Sequence, residues 1–336
     1  MTATSPASAS RTSAMRRAAV RATLAPSVHN TQPWRIHIRP DELSIRADRS
    51  RQLSVLDPTG RQLLISCGCA LMNARVSLAC DGITAAVTRF PDRRTTELVA
   101  TVTCGDAGSS ESADLAELDG FVEQRQTNRR RFSDEPVPEE VLELLETAAC
   151  LEGAELFVVR RPEDRVTVAA LSQHADDIQN LNPAYRAELR AWTTDDPDRR
   201  DGVRAATVPH VDAGADDEVR IRDFDARGTG GLPTATHSSR NQTMVVLGTT
   251  GDTAEEWLRA GEALERVLLE IARHGYAASP LTQVTEVPTA RAQLRRELRM
   301  IGYPHVLLRI GHAAPAPASR RRRLVDVLVE DPNGAL

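Results

Sequence analysis

The sequence predicts an α+β fold built from two degenerate halves in one chain, and two observations carry that prediction. The first is an internal repeat. Gly68-Cys-Ala-Leu-Met-Asn-Ala-Arg-Val-Ser-Leu-Ala-Cys-Asp-Gly82 and Gly261-Glu-Ala-Leu-Glu-Arg-Val-Leu-Leu-Glu-Ile-Ala-Arg-His-Gly275 each carry Gly, then Ala-Leu two and three residues on, and close on Gly after the same interval. Leu264, Val267, Leu268 and Ile271 recur at helical spacing, and the closing Gly suits a helix C-cap. The second observation is that the elements around this helix recur in the same order.

In the first half a helix over 14–24 leads to a strand over 34–38, a second strand, the long helix, an apolar segment at 83–87 and a strand over 98–102. In the second half a helix over 139–149 leads to a strand over 155–159, whose Leu-Phe-Val-Val is strongly β-prone. The long helix, an apolar segment at 276–281 and a strand over 305–310 follow. The halves are expected at 13–122 and 123–328. The second carries about seventy extra residues, placed as an insertion over 163–240. That insertion opens with a helical stretch over 163–192 and continues through a segment rich in Gly, Asp, Pro and Thr. A long irregular segment inside a compact fold is either functional or disordered. A lid over the site is the expectation, with disorder the alternative for 195–223.

Composition narrows the function. Hydrophobic residues make up 41% and charged residues 26% of 336, and the net charge is −5. That is ordinary for a soluble globular protein and exerts no general pull on nucleic acid or anionic membrane. Aromatic residues, at 3%, are too few for a base-stacking platform. No apolar run is expected to approach the length of a membrane span, and the Ser/Thr/Ala-rich residues 1–12 lack the core of a signal peptide. They are expected to be a disordered start in a cytoplasmic protein, with residues 329–336 a tail. Cys67, Cys69, Cys80, Cys104 and Cys150 form no CxxC pair, which argues against a disulfide framework. The histidines show no metal-ligand spacing, and there is no P-loop, no GxGxxG after a strand and no Gly-x-Ser-x-Gly elbow. All 42 basic residues are Arg, so an Arg cluster tells less here than elsewhere.

The most specific stretch is Ala25-Pro-Ser-Val-His-Asn-Thr-Gln-Pro-Trp34, at the handover from helix to strand. Pro26 and Pro33 fix φ and remove two backbone donors. Ser27 and Asn30 can bond backbone or ligand from a tight turn, while Gln32 and Trp34 supply an amide and a flat apolar face. His29 is a candidate proton donor or a packing residue. The plain alternative is a helix-to-strand turn with a buried Trp. The stretch resembles the APSxxNxQPW signature of the nitroreductase-like flavoproteins, where this loop lies against the flavin ring. Further segments resemble the long single-chain, Acg-like branch of that family: Asp57-Pro-Thr-Gly-Arg61 with Ser66-Cys-Gly68, Trp257-Leu-Arg-Ala-Gly-Glu-Ala-Leu264, and Gly302-Tyr-Pro304 with Leu308-Arg-Ile-Gly311.

The resemblance implies a nitroreductase-like fold, a fused pseudo-dimer and one flavin mononucleotide (FMN) site built across the halves, because the second half has Ala149-Cys-Leu-Glu-Gly153 where the loop should be. Arg125-Gln-Thr-Asn-Arg129 resembles the family's RxSxR/K opening, with Thr127 for Ser. It implies Arg125 and Thr127 at the phosphate and Arg129 near N1 and O2 of the ring. A phosphate suits guanidinium forks and a hydroxyl. The basic segment Arg320-Arg-Arg-Arg-Leu-Val-Asp-Val327 resembles the one that returns to the phosphate, with Arg320 and above all Arg321 the candidates. By the same resemblance Ser279 and Pro280 approach the flavin edge. Arg61 either faces the ring or pairs with an acid. The expected activity is an FMN-dependent oxidoreductase in which NAD(P)H supplies electrons for a small quinone, nitro or enone substrate. The alternatives are a protein that sequesters FMN with little turnover, and a structural protein without flavin. No nucleic-acid or membrane partner is expected, and the chain is read as a monomer or a homodimer.

Overall fold

A computed structural model describes residues 6–39, 41–105, 110–204, 207–208, 222, 224 and 242–329. The first half runs α1 (Pro6–Thr23), β1 (Trp34–Arg39), β2 (Glu42–Ala47), α2 (Arg61–Cys80), β3 (Ala85–Arg89), β4 (Leu98–Cys104) and α3 (Ser110–Ala116). The second runs α4 (Glu139–Leu151), β5 (Glu155–Val158), α5 (Pro162–Leu181), α6 (Pro183–Ala191), β6 (Thr193–Thr194) and β7 (Val203–Arg204). It continues with β8 (Thr243–Thr249), α7 (Ala254–Arg273), β9 (Ala277–Pro280), α8 (Gln283–Glu286), α9 (Pro288–Glu297), β10 (Tyr303–Gly311) and α10 (Leu324–Val327).

Each half contributes one antiparallel four-stranded sheet, ordered β1-β2-β4-β3 and β5-β8-β10-β9. Both orders read first, second, fourth, third, so the repeat in the sequence is a repeat of topology. The long helices α2 and α7 pack against each other at the glycines that align them. A Cβ on Gly68 would lie 2.1 Å from the Leu258 carbonyl oxygen, and one on Gly261 would lie 2.0 Å from that of Ile65. Ile65 and Leu258 each stand three residues before the glycine of their own helix. The contact is therefore reciprocal, as across a two-fold axis. One apolar core joins α1, α2, α4, α7 and both sheets.

Three local expectations are corrected. Helix α1 is already formed at Pro6, inside the stretch read as disordered; its Ala/Ser sequence with Pro in the first turn sustains a helix. Residues 1–5 lie outside the described residues. The helical stretch 163–192 is two helices, because Pro183 cannot continue α5 and Asn182 caps α6, its Oδ1 accepting from the amides of Ala184 (3.0 Å) and Tyr185 (3.3 Å). Helix α2 is long and apolar enough to cross a membrane by length and composition, contrary to the expectation that no run approaches that length, yet 94% of its apolar stretch is buried inside the protein, as befits a core helix. Most of 205–241, the irregular part of the insertion, lies outside the described residues.

The chain's last segment crosses from the second half to the first. After β10, Ala313 bridges Phe132, residues 319–323 pass over the loop before β1, and Leu328 pairs with Ile36 at the β1 edge. On the other sheet Thr127 bridges Ala278 of β9. Both sheets thus have one edge covered by a segment from elsewhere in the chain.

Candidate functional site

The loop between α1 and β1 is held in a costly backbone conformation. His29 (φ 46°), Asn30 (φ 54°) and Gln32 (φ 48°) are all left-handed without being glycine. Such residues persist where the surroundings over-determine them, and they gather at ligand sites. Here the surroundings are visible. Ser27 Oγ accepts from the Gln32 amide at 2.9 Å, and Ser66 Oγ of α2 accepts from the Val28 amide at 3.2 Å. The Asn30 side chain donates to the carbonyls of Gly202 (3.0 Å) and Arg320 (3.1 Å) and accepts from Arg321 Nη1 at 3.0 Å. Gln32 donates to the Arg200 carbonyl at 2.8 Å and accepts from the Arg322 amide at 2.7 Å. The two amides of the motif therefore staple the loop to the C-terminal strap and to the insertion.

These segments enclose a cleft between the halves, with two lobes that share Pro26, Ser27, Thr127 and Arg129. The outer lobe, about 50 Å³, adds Asn30, Arg199, residues 201–204, Thr207, Ser319, Arg320 and Arg321. The inner lobe, about 100 Å³, lies on α2 (Gln62, Ile65, Ser66, Cys69) and α7 (Leu264, Leu268), with Pro280 beside it and His29, Arg222 and Phe224 closing it. Phe224 meets the His29 ring edge-on at 5.7 Å, and Arg129 lies over Phe224 at 5.1 Å. Arg222 is anchored by Glu286 at 2.6 Å and by the Tyr185 hydroxyl.

The walls are electropositive. Arg199 and Arg51 are both paired with Asp201, whereas Arg129 has no carboxylate within ion-pair distance among the described residues. Burial, then Arg222, pull the Arg129 guanidinium down to about 10. Burial, then Arg125, pull Arg321 down to about 9. Both remain charged at neutral pH; Arg321 has the buried Glu265 behind it, while Arg129 has no acid acting on it among the described residues, so the cleft wall carries an excess of positive charge that suits an anion. Burial, aided by Arg222, drives the His29 imidazole down to about 3, so it is neutral at neutral pH. Neither ring nitrogen has a hydrogen-bond partner among the described residues.

Of the residues singled out in the sequence, Pro26, Ser27, His29, Asn30, Thr127, Arg129, Pro280, Arg320 and Arg321 line one or both lobes. Gln32 and Ser279 do not; each is fully buried, and Gln32 spends its amide on the protein backbone. Arg125 is buried beneath the wall, its Nε 3.1 Å from Glu265 and its Nη2 donating to the Leu24 carbonyl at 3.2 Å. Arg61 donates to the carbonyl of Thr285 rather than facing the lobes. Sequence reasoning missed Gln62, Ser66 and Leu268, which the helical periodicity shared with the core concealed. It also missed Arg199, Arg222 and Phe224, whose approach is long-range and leaves no local signal.

The place that corresponds to this cleft in the other half is filled. Counting from the paired glycines, Cys69, Leu268 and Thr282 of the inner lobe match Glu262, Arg75 and Arg89. There Arg75 pairs with Glu262 (2.8 Å) and Glu152 (2.6 Å), Arg89 with Glu262 (2.7 Å), and Arg266 with Glu152 (2.7 Å). Glu152 belongs to the short turn that stands where the first half has its ten-residue loop.

The structure thus defines an α+β protein with a cationic cleft between two sheets of like topology. No family model matches the chain. It is 33% identical over 314 residues to Rv3131 of Mycobacterium tuberculosis strain H37Rv, which bears the provisional name NAD(P)H nitroreductase, covering 91% of this chain and 88% of that one. It is 30% identical over 312 residues to acg of the same strain, provisionally named likewise, covering 90% and 91%. The chain belongs to this nitroreductase-like family. Among solved structures, a nitroreductase with bound FMN from Desulfitobacterium hafniense DCB-2 matches at 12% identity and TM-score 0.41, covering 64% of this chain and 98% of that one.

Proposed function

We propose that the protein is an FMN-dependent oxidoreductase of the nitroreductase type, with one cofactor site per chain in the cleft between its halves. The observation that carries this reading is the meeting of Pro26–Asn30, Thr127–Arg129, Pro280 and Arg320–Arg321 on one cleft from four separate stretches of sequence. The donor set fits the cofactor's chemistry. Arg321, Arg320 and the hydroxyls of Thr127 and Ser27 suit a phosphate. The apolar floor of Ile65, Leu264 and Leu268 suits a flat ring, and Arg129, without a carboxylate, suits the negative charge of a reduced flavin. The ring nitrogens of His29 and Nε2 of Gln62 are buried without partners and are available to polar edges. Bound FMN would supply hydride and electron transfer between NAD(P)H and a small quinone, nitro or enone acceptor. No side chain is required as a covalent nucleophile. The ion network around Glu152 and Glu262 supports a fused pseudo-dimer that keeps one site and has closed the other.

The free space favours a second form of this reading. The lobes, about 50 and 100 Å³, are below the roughly 300 Å³ at the small end of ligand pockets. Arg222 and Phe224 of the insertion must therefore withdraw to admit the ring. Once returned, they would shield it from a nicotinamide, and the protein would hold FMN with little turnover. Anaerobic titration of the flavin-loaded protein with NADPH separates the two forms. Rapid bleaching supports the enzyme, and bleaching by dithionite alone supports sequestration. A protein that binds no FMN rejects both.

A further inference from the structure

Glu265 stands on α7 with its carboxylate fully buried, and the cofactor reading alone gives it no task. Arg125 Nε lies 3.1 Å from one oxygen, yet among the described residues neither oxygen accepts a well-aligned hydrogen bond, with Arg125 and the Asn73 amide as the side chains in reach. Arg125 is tied to Arg321, which lines the outer lobe: both donate to the Leu24 carbonyl, at 3.2 and 3.4 Å. On the α2 side the neighbours are Asn73 and Cys69, and burial keeps the Cys69 thiol neutral. The titratable surroundings of Glu265 are thus two guanidiniums and one thiol. Burial pushes its carboxyl up to about 7, against the pull of Arg125 and then Arg321.

A phosphate dianion entering this corner changes the charge balance. A dianion held by Arg320 and Arg321 draws Arg321 away from the buried carboxylate and sets like charge near it in a place with little water, and both effects favour the protonated carboxyl. We infer that Glu265 takes up a proton from solvent when a phosphomonoester binds beside Arg321, and returns it on release. Cofactor capture is then proton-coupled, and Glu265 is a positioning residue acting through Arg125 and Arg321. The inference rests on the FMN reading. Its sign follows from linkage. Phosphate raises the affinity of Glu265 for its proton, so binding is full below the free-state titration near 7 and weakens as pH rises, by up to about tenfold per unit.

The test is FMN titration of the cofactor-free protein from pH 7 to 9, wild type against Glu265→Gln, with riboflavin as the phosphate-free probe. The second ionisation of a phosphomonoester lies near 6, so the slope in this range belongs to the protein. Calorimetry of the wild type at pH 8 in two buffers of different protonation enthalpy counts the protons taken up, and it does not depend on the variant folding. The inference expects FMN affinity to fall with pH in the wild type and to stay level in Glu265→Gln, riboflavin to show no slope, and proton uptake approaching one. Parallel slopes in the two proteins, or no proton uptake, overturn it while leaving the FMN reading intact. Absence of FMN binding in both proteins overturns the two together.

Discussion

Arg321 is the residue on which the cofactor reading leans most, because it lines the outer lobe and is fixed there by donating from Nη1 to Asn30 Oδ1 at 3.0 Å. Arg321→Ala is expected to weaken FMN binding by about 2 kcal/mol, roughly thirtyfold, measured by flavin fluorescence titration. An unchanged affinity would remove the phosphate from this corner. Ser27 acts on the backbone. Losing its hydroxyl leaves the Gln32 amide unpaired, and Ser27→Ala should cost about 1–2 kcal/mol in chemical denaturation. For His29 the sign is set by a folded-state value near 3, below the 6.5 of the unfolded chain. Its contribution to stability is full above 6.5 and is lost as pH falls toward 3, and its NMR ring signals should show no imidazolium above about pH 4. The loop's identity was legible in the sequence because ten ordered residues are specific. The inward turn of Gln32 was not, since one amide suits a ligand and a backbone carbonyl equally well.

At the level of elements, the two long helices were legible from their paired glycines, and the structure gives those glycines a common cause. Each leaves room for the partner helix's backbone, at 2.0–2.1 Å from where a Cβ would sit. Gly261→Ala should therefore lower stability by about 3 kcal/mol, with the cost read from the shift in denaturation midpoint; Gly120→Ala, at an exposed glycine with open space around its Cβ, serves as comparison. The strands 34–38, 98–102 and 305–310 were legible within a few residues from β-prone runs, whereas α8 and α9 were not, being short helices lodged between two strands of one sheet. The insertion's role is probed at Phe224, which packs on His29 and Arg129 at the mouth of the inner lobe. Phe224→Ala is expected to speed flavin reduction by NADPH in stopped-flow measurements. A rate equal to the wild type would mean that this side chain does not limit access.

For the whole molecule, the two sheets share one topology while the residues between them differ, and the proposed single site rests on that difference. Two sheets of one topology, joined through α2 and α7, offer two equivalent clefts in principle. One has the loop, the strap and unbalanced arginines; the other has Glu152 and Glu262 locked to Arg75, Arg89 and Arg266. The absence of the loop from the second half was legible in the sequence, but the ion network was not, because its members lie far apart in sequence. The most direct measurement is the visible absorption spectrum of the purified protein, with chromatographic identification and counting of the flavin released by heat. One FMN per chain is the predicted result. No flavin even after incubation with FMN, or two per chain, would contradict a single cofactor site built across unequal halves.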